Sequence, residues 1–152
     1  MSVQAAAHQP LSARRLAAPD PIEQSGAYAV IEDSDGRVLT VEARNGRSYL
    51  PGGRIEPGET PRRALIREIG EECGWSAEIA APLGRTVETI MGGTVTLQAS
   101  YWRAALSRPV ENNAEHRLVW MAPAVALGRL HRAGDRKALL MAFPASVTGS
   151  TD

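Results

Sequence analysis

The stretch Gly53-Arg-Ile-Glu-Pro-Gly-Glu59, continued by Arg67-Glu68-Ile-Gly-Glu71-Glu72-Cys-Gly74-Trp75, decides how this chain is read. Thr60 between the two halves offers a side-chain oxygen to cap a helix, and Pro61 suits the first turn, where a missing N–H costs nothing. Gly74 provides the stop after Cys73. The spacing predicts a helix of about 13 residues. On it Leu65, Ile66, Ile69 and Cys73 fall toward the core at intervals of three and four, while Glu68, Glu71 and Glu72 gather on another side.

Stability alone argues against such a cluster. Like charges three or four residues apart cost about 0.2–0.5 kcal/mol per pair. Acids in the last turn oppose the helix dipole by about 0.3–1 kcal/mol each. A hard divalent cation, Mg2+ or Mn2+, reverses the balance, because it prefers carboxylate and carbonyl oxygens and completes its shell with water and substrate phosphates. A lone E-x-x-E-E reads first as a solvated acidic face. Here Gly53, Glu59, Arg67 and Gly74 hold their places around it, which favours the metal. Pro51-Gly52-Gly53 and Pro57-Gly58 flank the loop into the helix, and glycines there permit close approach to a ligand. Arg67 is expected to form a bidentate pair with Glu59 or Glu68 and so orient a ligand carboxylate.

In this register the segment resembles, without a mismatch, the pattern G-x5-E-x7-R-E-U-x-E-E-x-G-U (U, bulky apolar) of the Nudix hydrolases. The resemblance implies an α/β fold, a Nudix-like alpha/beta/alpha sandwich with a mixed β-sheet. It also implies divalent-metal-dependent hydrolysis of a phosphoanhydride bond in a nucleoside diphosphate linked to another moiety X. Glu68, Glu71 and Glu72 would hold Mg2+ or Mn2+, joined by the carbonyl of Gly52 and by a glutamate from a loop before a tryptophan-bearing strand. Glu115, ahead of Trp120, resembles that glutamate, with Glu111 as the alternative. Arg67 takes the orienting role in the family, and Glu72 and Glu115 are both candidates for the general base. The proline or tyrosine that marks some ADP-ribose and dinucleotide hydrolases is absent, Met91 to Gly93 occupying that region. Nucleoside triphosphates including oxidised ones, nucleotide sugars, ADP-ribose and dinucleoside polyphosphates remain as substrates. A non-catalytic nucleotide-sensing module is the alternative of a different class, and the intact motif favours the enzyme.

Composition sets the surrounding limits. A chain of 152 residues is expected to form one domain, with residues 1–22 a loose extension, 23–144 the hydrolase domain and 145–152 a frayed tail. Net charge is +0 and the pI about 6.8, so no global field draws in nucleic acid or membrane, and a phosphate-rich small molecule must be recruited locally. No sequence-specific nucleic-acid partner is expected, and homodimerisation stays open. Cys73 is the only cysteine, which suits a reducing cytoplasm and a buried apolar role. No apolar run reaches the roughly 18 residues needed for a membrane span.

The remaining pattern alternates strand and helix. Strands are expected at 26–32, 37–44, through Tyr49 and Leu50, at 76–80, and at 118–121, with a hairpin of 85–91 and 94–104 turning at Gly92-Gly93. Residues 123–130 and 135–143 read as helices, Leu139, Leu140 and Phe143 facing inward. His116 reads first as a surface histidine, with a role as base or phosphate ligand as the alternative, and Trp120 as core before ligand stack. Tyr28, Arg37, Arg47 and Tyr49 are candidates for contact with base or phosphate.

Overall fold

The computed structural model describes residues 19–110 and 114–144. The elements run β1 (Ile22–Ile31), β2 (Val38–Glu42), β3 (Ser48–Tyr49), β4 (Gly52–Arg54), α1 (Pro61–Cys73), β5 (Trp75–Ile90), β6 (Val95–Pro109), β7 (Arg117–Met121), α2 (Pro123–Arg129) and α3 (Ala133–Ala142). Residues 1–18 of the expected extension, the tail 145–152 and the candidate Glu111 lie outside the described residues.

Strand β1 organises the molecule. It is parallel to β6 and antiparallel to β4, and β5 closes the edge, giving a mixed four-stranded sheet of order β4-β1-β6-β5. This is the mixed sheet expected, and beside it β2, β3 and β7 form a second, antiparallel sheet of order β3-β2-β7. The β1 side chains alternate between two cores, as period two requires. Ala27, Ala29 and Ile31 pack with Leu65, Ile69 and Cys73 of α1, while Tyr28 and Val30 pack with Ala126, Ala138 and Leu139 of α2 and α3. Helices thus cover opposite faces of β1. Burying Leu65 and Ile69 contributes about 1.5–3 kcal/mol each, which fixes α1 against the sheet.

The segment following α1 was expected as two strands and is one, β5, continuous from Trp75 to Ile90. Register shifts at Ser76/Ala77, Ile79/Ala81 and Pro82/Gly84 accommodate Pro82 within the ladder. Its partner β6 runs to Pro109, past the expected end at Ala104, and β1 begins four residues before Gly26. Helix α3 likewise starts two residues early, at Ala133.

Candidate active site

Helix α1 begins and ends where its capping residues place it. The side chain of Thr60 accepts from Arg63 N at 3.2 Å, Pro61 opens the first turn, and Gly74 closes the helix with a φ of 72°. The two faces divide differently from the expectation. Ile66, assigned to the core, is 43% exposed, and Glu72, assigned with the acids away from the core, is buried. Glu72 lies seven residues past Leu65 and three past Ile69, so it shares their face. It is tolerated there because Oε1 accepts the Gly52 N–H at 2.9 Å and Oε2 lies 3.5 Å from His116 Nε2. Burial pushes its carboxyl up to about 8, with Glu68 and Glu115 adding to the rise and the Gly52 N–H pulling against it.

Arg67 gathers the other acids. Its Nε and Nη2 donate to the two oxygens of Glu59 at 2.7 and 2.9 Å, the bidentate pair expected, and Nη1 donates to Glu68 and Glu71, each at 3.0 Å. The Arg67 fork holds the Glu59 carboxyl down at about 2, helped by the Glu56 N–H. Nη2 also donates to the Arg54 carbonyl at 3.1 Å, which ties the loop to the helix.

Two glycines bring the loop against the acids. Gly52 has a φ of +139°, and a Cβ there would lie 2.6 Å from Tyr28 Cα. A Cβ on Gly53 would lie 2.6 Å from Glu68 Oε2, so only a glycine lets that carboxylate rest on the loop. On the other side, Glu115 N and His116 N donate to the carbonyls of Glu71 and Glu72 at 3.2 and 3.3 Å. The segment before β7 therefore satisfies carbonyls that the end of α1 leaves open. The loop before β7 thus brings the Glu115 backbone to the end of α1 beside Glu71 and Glu72, while Gly52 meets Glu72 and Gly53 meets Glu68.

Among the described residues, no three His, Cys, Asp or Glu side chains stand at metal-ligating distance from one another, since Arg67 draws Glu59, Glu68 and Glu71 onto itself. Their chemistry nevertheless fits a divalent ion. One guanidinium faces three carboxylates, an excess of two negative charges, with Glu72 and Glu115 beside them. The donors are all hard oxygens, as Mg2+ and Mn2+ prefer.

A cavity of about 790 Å³ opens next to this cluster and is lined by Gly52, Gly53, Glu72 and His116. His116, read as a surface residue, is thus part of its wall. Tyr28, Arg47 and Tyr49 line the cavity as well, whereas Arg37 is engaged with Asp33 and Asp35 elsewhere. Trp120 packs against the α1 core, in keeping with its expected role. The sequence reading missed Glu88, Arg132 and Asp135. Asp135 is fully buried and accepts from Tyr101 Oη at 2.7 Å and Leu50 N at 2.9 Å; the only signal was an acid in the first turn of a helix.

A mixed sheet between helices, with an acid-bearing helix and a glycine loop beside a cavity, makes an alpha/beta/alpha sandwich. The NUDIX domain family matches residues 23–142, and the chain belongs to it. It is 31% identical over 105 residues to the CTP pyrophosphohydrolase of Escherichia coli, covering 65% of this chain and 76% of that one. It is 36% identical over 92 residues to an 8-oxo-(d)GTP phosphatase of Mycolicibacterium smegmatis, covering 59% of this chain and 28% of that one. The chain spans less than half the length of the first relatives it matches, 40% and 28%. The solution structure of the E. coli ORF135 protein superposes with a TM-score of 0.66 at 26% identity, covering 90% of this chain and 96% of that one. No described helix is long and apolar enough to cross a membrane.

Proposed function

We propose that this chain is a divalent-metal-dependent pyrophosphohydrolase that cleaves a phosphoanhydride bond in a nucleoside diphosphate linked to another moiety, with nucleoside triphosphates as the leading substrates. The observation that carries the reading is the glutamate cluster at the end of α1, with Glu68 and Glu71 held on Arg67, Glu72 on the wall of a cavity large enough for a nucleotide, and the Glu115 backbone bonded to Glu71. The activities in the relatives' names support it.

Glu68, Glu71, Glu72 and Glu115, with the Gly52 carbonyl, would hold Mg2+ or Mn2+. When bound, the ion neutralises the pyrophosphate and lowers the pKa of a water. Arg67 keeps Glu68 and Glu71 pointed to one place through its fork on Glu59. Glu72 or Glu115 takes the proton as water attacks phosphorus, and the anhydride bond breaks to give two phosphorylated products. The Gly52 N–H holds the Glu72 carboxylate, and the N–H groups of Glu115 and His116 tie their loop to the backbone at the end of α1.

A phosphate-release screen tests this. Nucleoside triphosphates, nucleotide sugars, ADP-ribose and dinucleoside polyphosphates are incubated with Mg2+ or Mn2+, with pyrophosphatase or phosphatase as coupling enzyme. Turnover of a triphosphate to the monophosphate and pyrophosphate is expected. Nucleotide binding without turnover of any substrate would assign the chain to the sensing class instead.

A further inference from the structure

Among the ionic side chains of the cavity wall for which metal chemistry has no use are Glu88 on β5 and Arg132 just before α3. Arg132 is held on every side. Its guanidinium lies 4.4 Å from the Tyr28 ring centroid and 4.8 Å from that of Tyr49, Nη1 donates to Tyr28 Oη at 3.1 Å, and Nη2 is 3.6 Å from Asp135 Oδ2. Asp135 is itself anchored by Tyr101 and Leu50. The fork is therefore fixed in place while keeping N–H groups to give, because Nη1 has one left and the Asp135 contact exceeds hydrogen-bond length.

Glu88 is fixed with equal economy. Oε1 accepts the Gly134 N–H at 3.0 Å, and among the described residues Oε2 accepts no hydrogen bond. A Cβ on Gly134 would stand 2.8 Å from Glu88 Oε1 and 2.6 Å from Thr86 Oγ1, so the glycine lets the carboxylate reach the start of α3, two residues past Arg132. Capping α3 accounts for Oε1. It accounts neither for Oε2 nor for a clamped guanidinium on the wall of the same cavity, and among the described residues the two charges are not paired with each other.

We propose that Glu88 and Arg132 read the nucleobase and select an edge with two adjacent N–H donors next to a carbonyl, the edge of guanine. A carboxylate presents two adjacent acceptors, which the N1–H and exocyclic N2–H of guanine match, while O6 beyond them accepts from the guanidinium. Adenine, cytosine and uracil offer one donor at the corresponding edge and leave part of a half-buried carboxylate unpaired. This rests on the nucleotide-hydrolase reading for the presence of a nucleotide in the cavity, but it does not depend on turnover.

Calorimetric titration of the metal-free protein with GMP, IMP, AMP and CMP tests the pair. Wild type is expected to bind GMP about tenfold more tightly than IMP, which lacks only the 2-amino group. Glu88→Gln keeps a carbonyl for Gly134 and replaces the free acceptor by an amide donor, so the GMP preference over IMP falls below about twofold. Arg132→Lys weakens GMP and IMP together, by about tenfold, and AMP little. Equal binding of the four nucleotides by wild type, no measurable GMP binding, or an unchanged GMP to IMP ratio in Glu88→Gln overturns the proposal. So does an Arg132→Lys loss as large for AMP as for GMP, which marks a phosphate contact. If Arg132→Lys does not fold, Glu88→Gln decides alone. Guanine selectivity without hydrolysis sinks the enzyme reading and leaves this one standing, and hydrolysis indifferent to the base does the reverse.

Discussion

Replacing Glu72 by Gln separates the cost of the acid cluster from its use. The Glu72 side chain is 11% exposed, and burial pushes its carboxyl from an ordinary 4.5 to about 8. The folded protein therefore keeps a proton there that the unfolded chain gives up above 4.5. The stability this group contributes is whole below pH 4.5 and is lost as pH rises through about 8. At about 1.4 kcal/mol per pH unit the displacement sets a ceiling of about 5 kcal/mol, and relaxation with water at the cavity mouth brings the expected effect to about 2 kcal/mol. Glutamine is neutral, nearly isosteric, and keeps an oxygen for the Gly52 N–H, so the metal-free variant escapes this loss. Thermal melts in EDTA should show Glu72→Gln equal to wild type near pH 4.5 and about 4–8 °C higher at pH 8. Added Mg2+ should then raise the wild-type Tm and raise the variant's far less, since only a ligand that binds the folded state stabilises it. A variant that melts below wild type across the whole range would show that the carboxylate is structural, and the reasoning would be wrong.

Other substitutions probe the neighbouring groups. Glu115→Gln leaves the backbone N–H on Glu71 O intact and should lower kcat at least about tenfold; a loss no greater than that of Glu111→Gln would transfer the role or reduce the loop to a border. Arg67→Lys cannot reproduce the fork on Glu59 while also reaching Glu68 and Glu71, so metal affinity read by Mn2+ titration of activity should fall about 10- to 100-fold. Gly52→Ala places a Cβ 2.6 Å from Tyr28 Cα at a φ of +139°, and should cost more than about 1 kcal/mol in urea unfolding; an unchanged midpoint would mean that the loop yields there.

The helix and its caps were legible because each depends on neighbours in the chain. Thr60, Pro61 and Gly74 act within one turn, and the bidentate Arg67–Glu59 pair follows from a loop of fixed length leading into a helix. The burial of Glu72 was not legible, since a carboxylate is read as solvated unless its partner is known, and that partner is a backbone N–H in β4. The place of His116 in the cavity wall was not legible for the same reason, its neighbour Glu72 lying on another element. The two strands expected at 76–80 and 85–91 are one, because the ladder to β6 bulges around Pro82 instead of ending there. The wall formed by Glu88, Arg132 and Asp135 assembles residues from β5 and the α3 start whose meeting depends on tertiary packing, and Gly134 gave no local hint of what it accommodates.

The most direct test of the account is Mn2+ binding and turnover measured together. Bound Mn2+ is followed by electron paramagnetic resonance in the presence of a nucleoside triphosphate, with hydrolysis assayed in the same samples, for wild type and for Glu68→Gln. The account predicts that the variant, folded as judged by its melt, loses bound Mn2+ and turnover in parallel at limiting metal, with partial recovery at high Mn2+. Wild-type hydrolysis by Glu68→Gln at limiting Mn2+, or turnover that persists in wild type after the bound Mn2+ signal is removed by chelation, would contradict it.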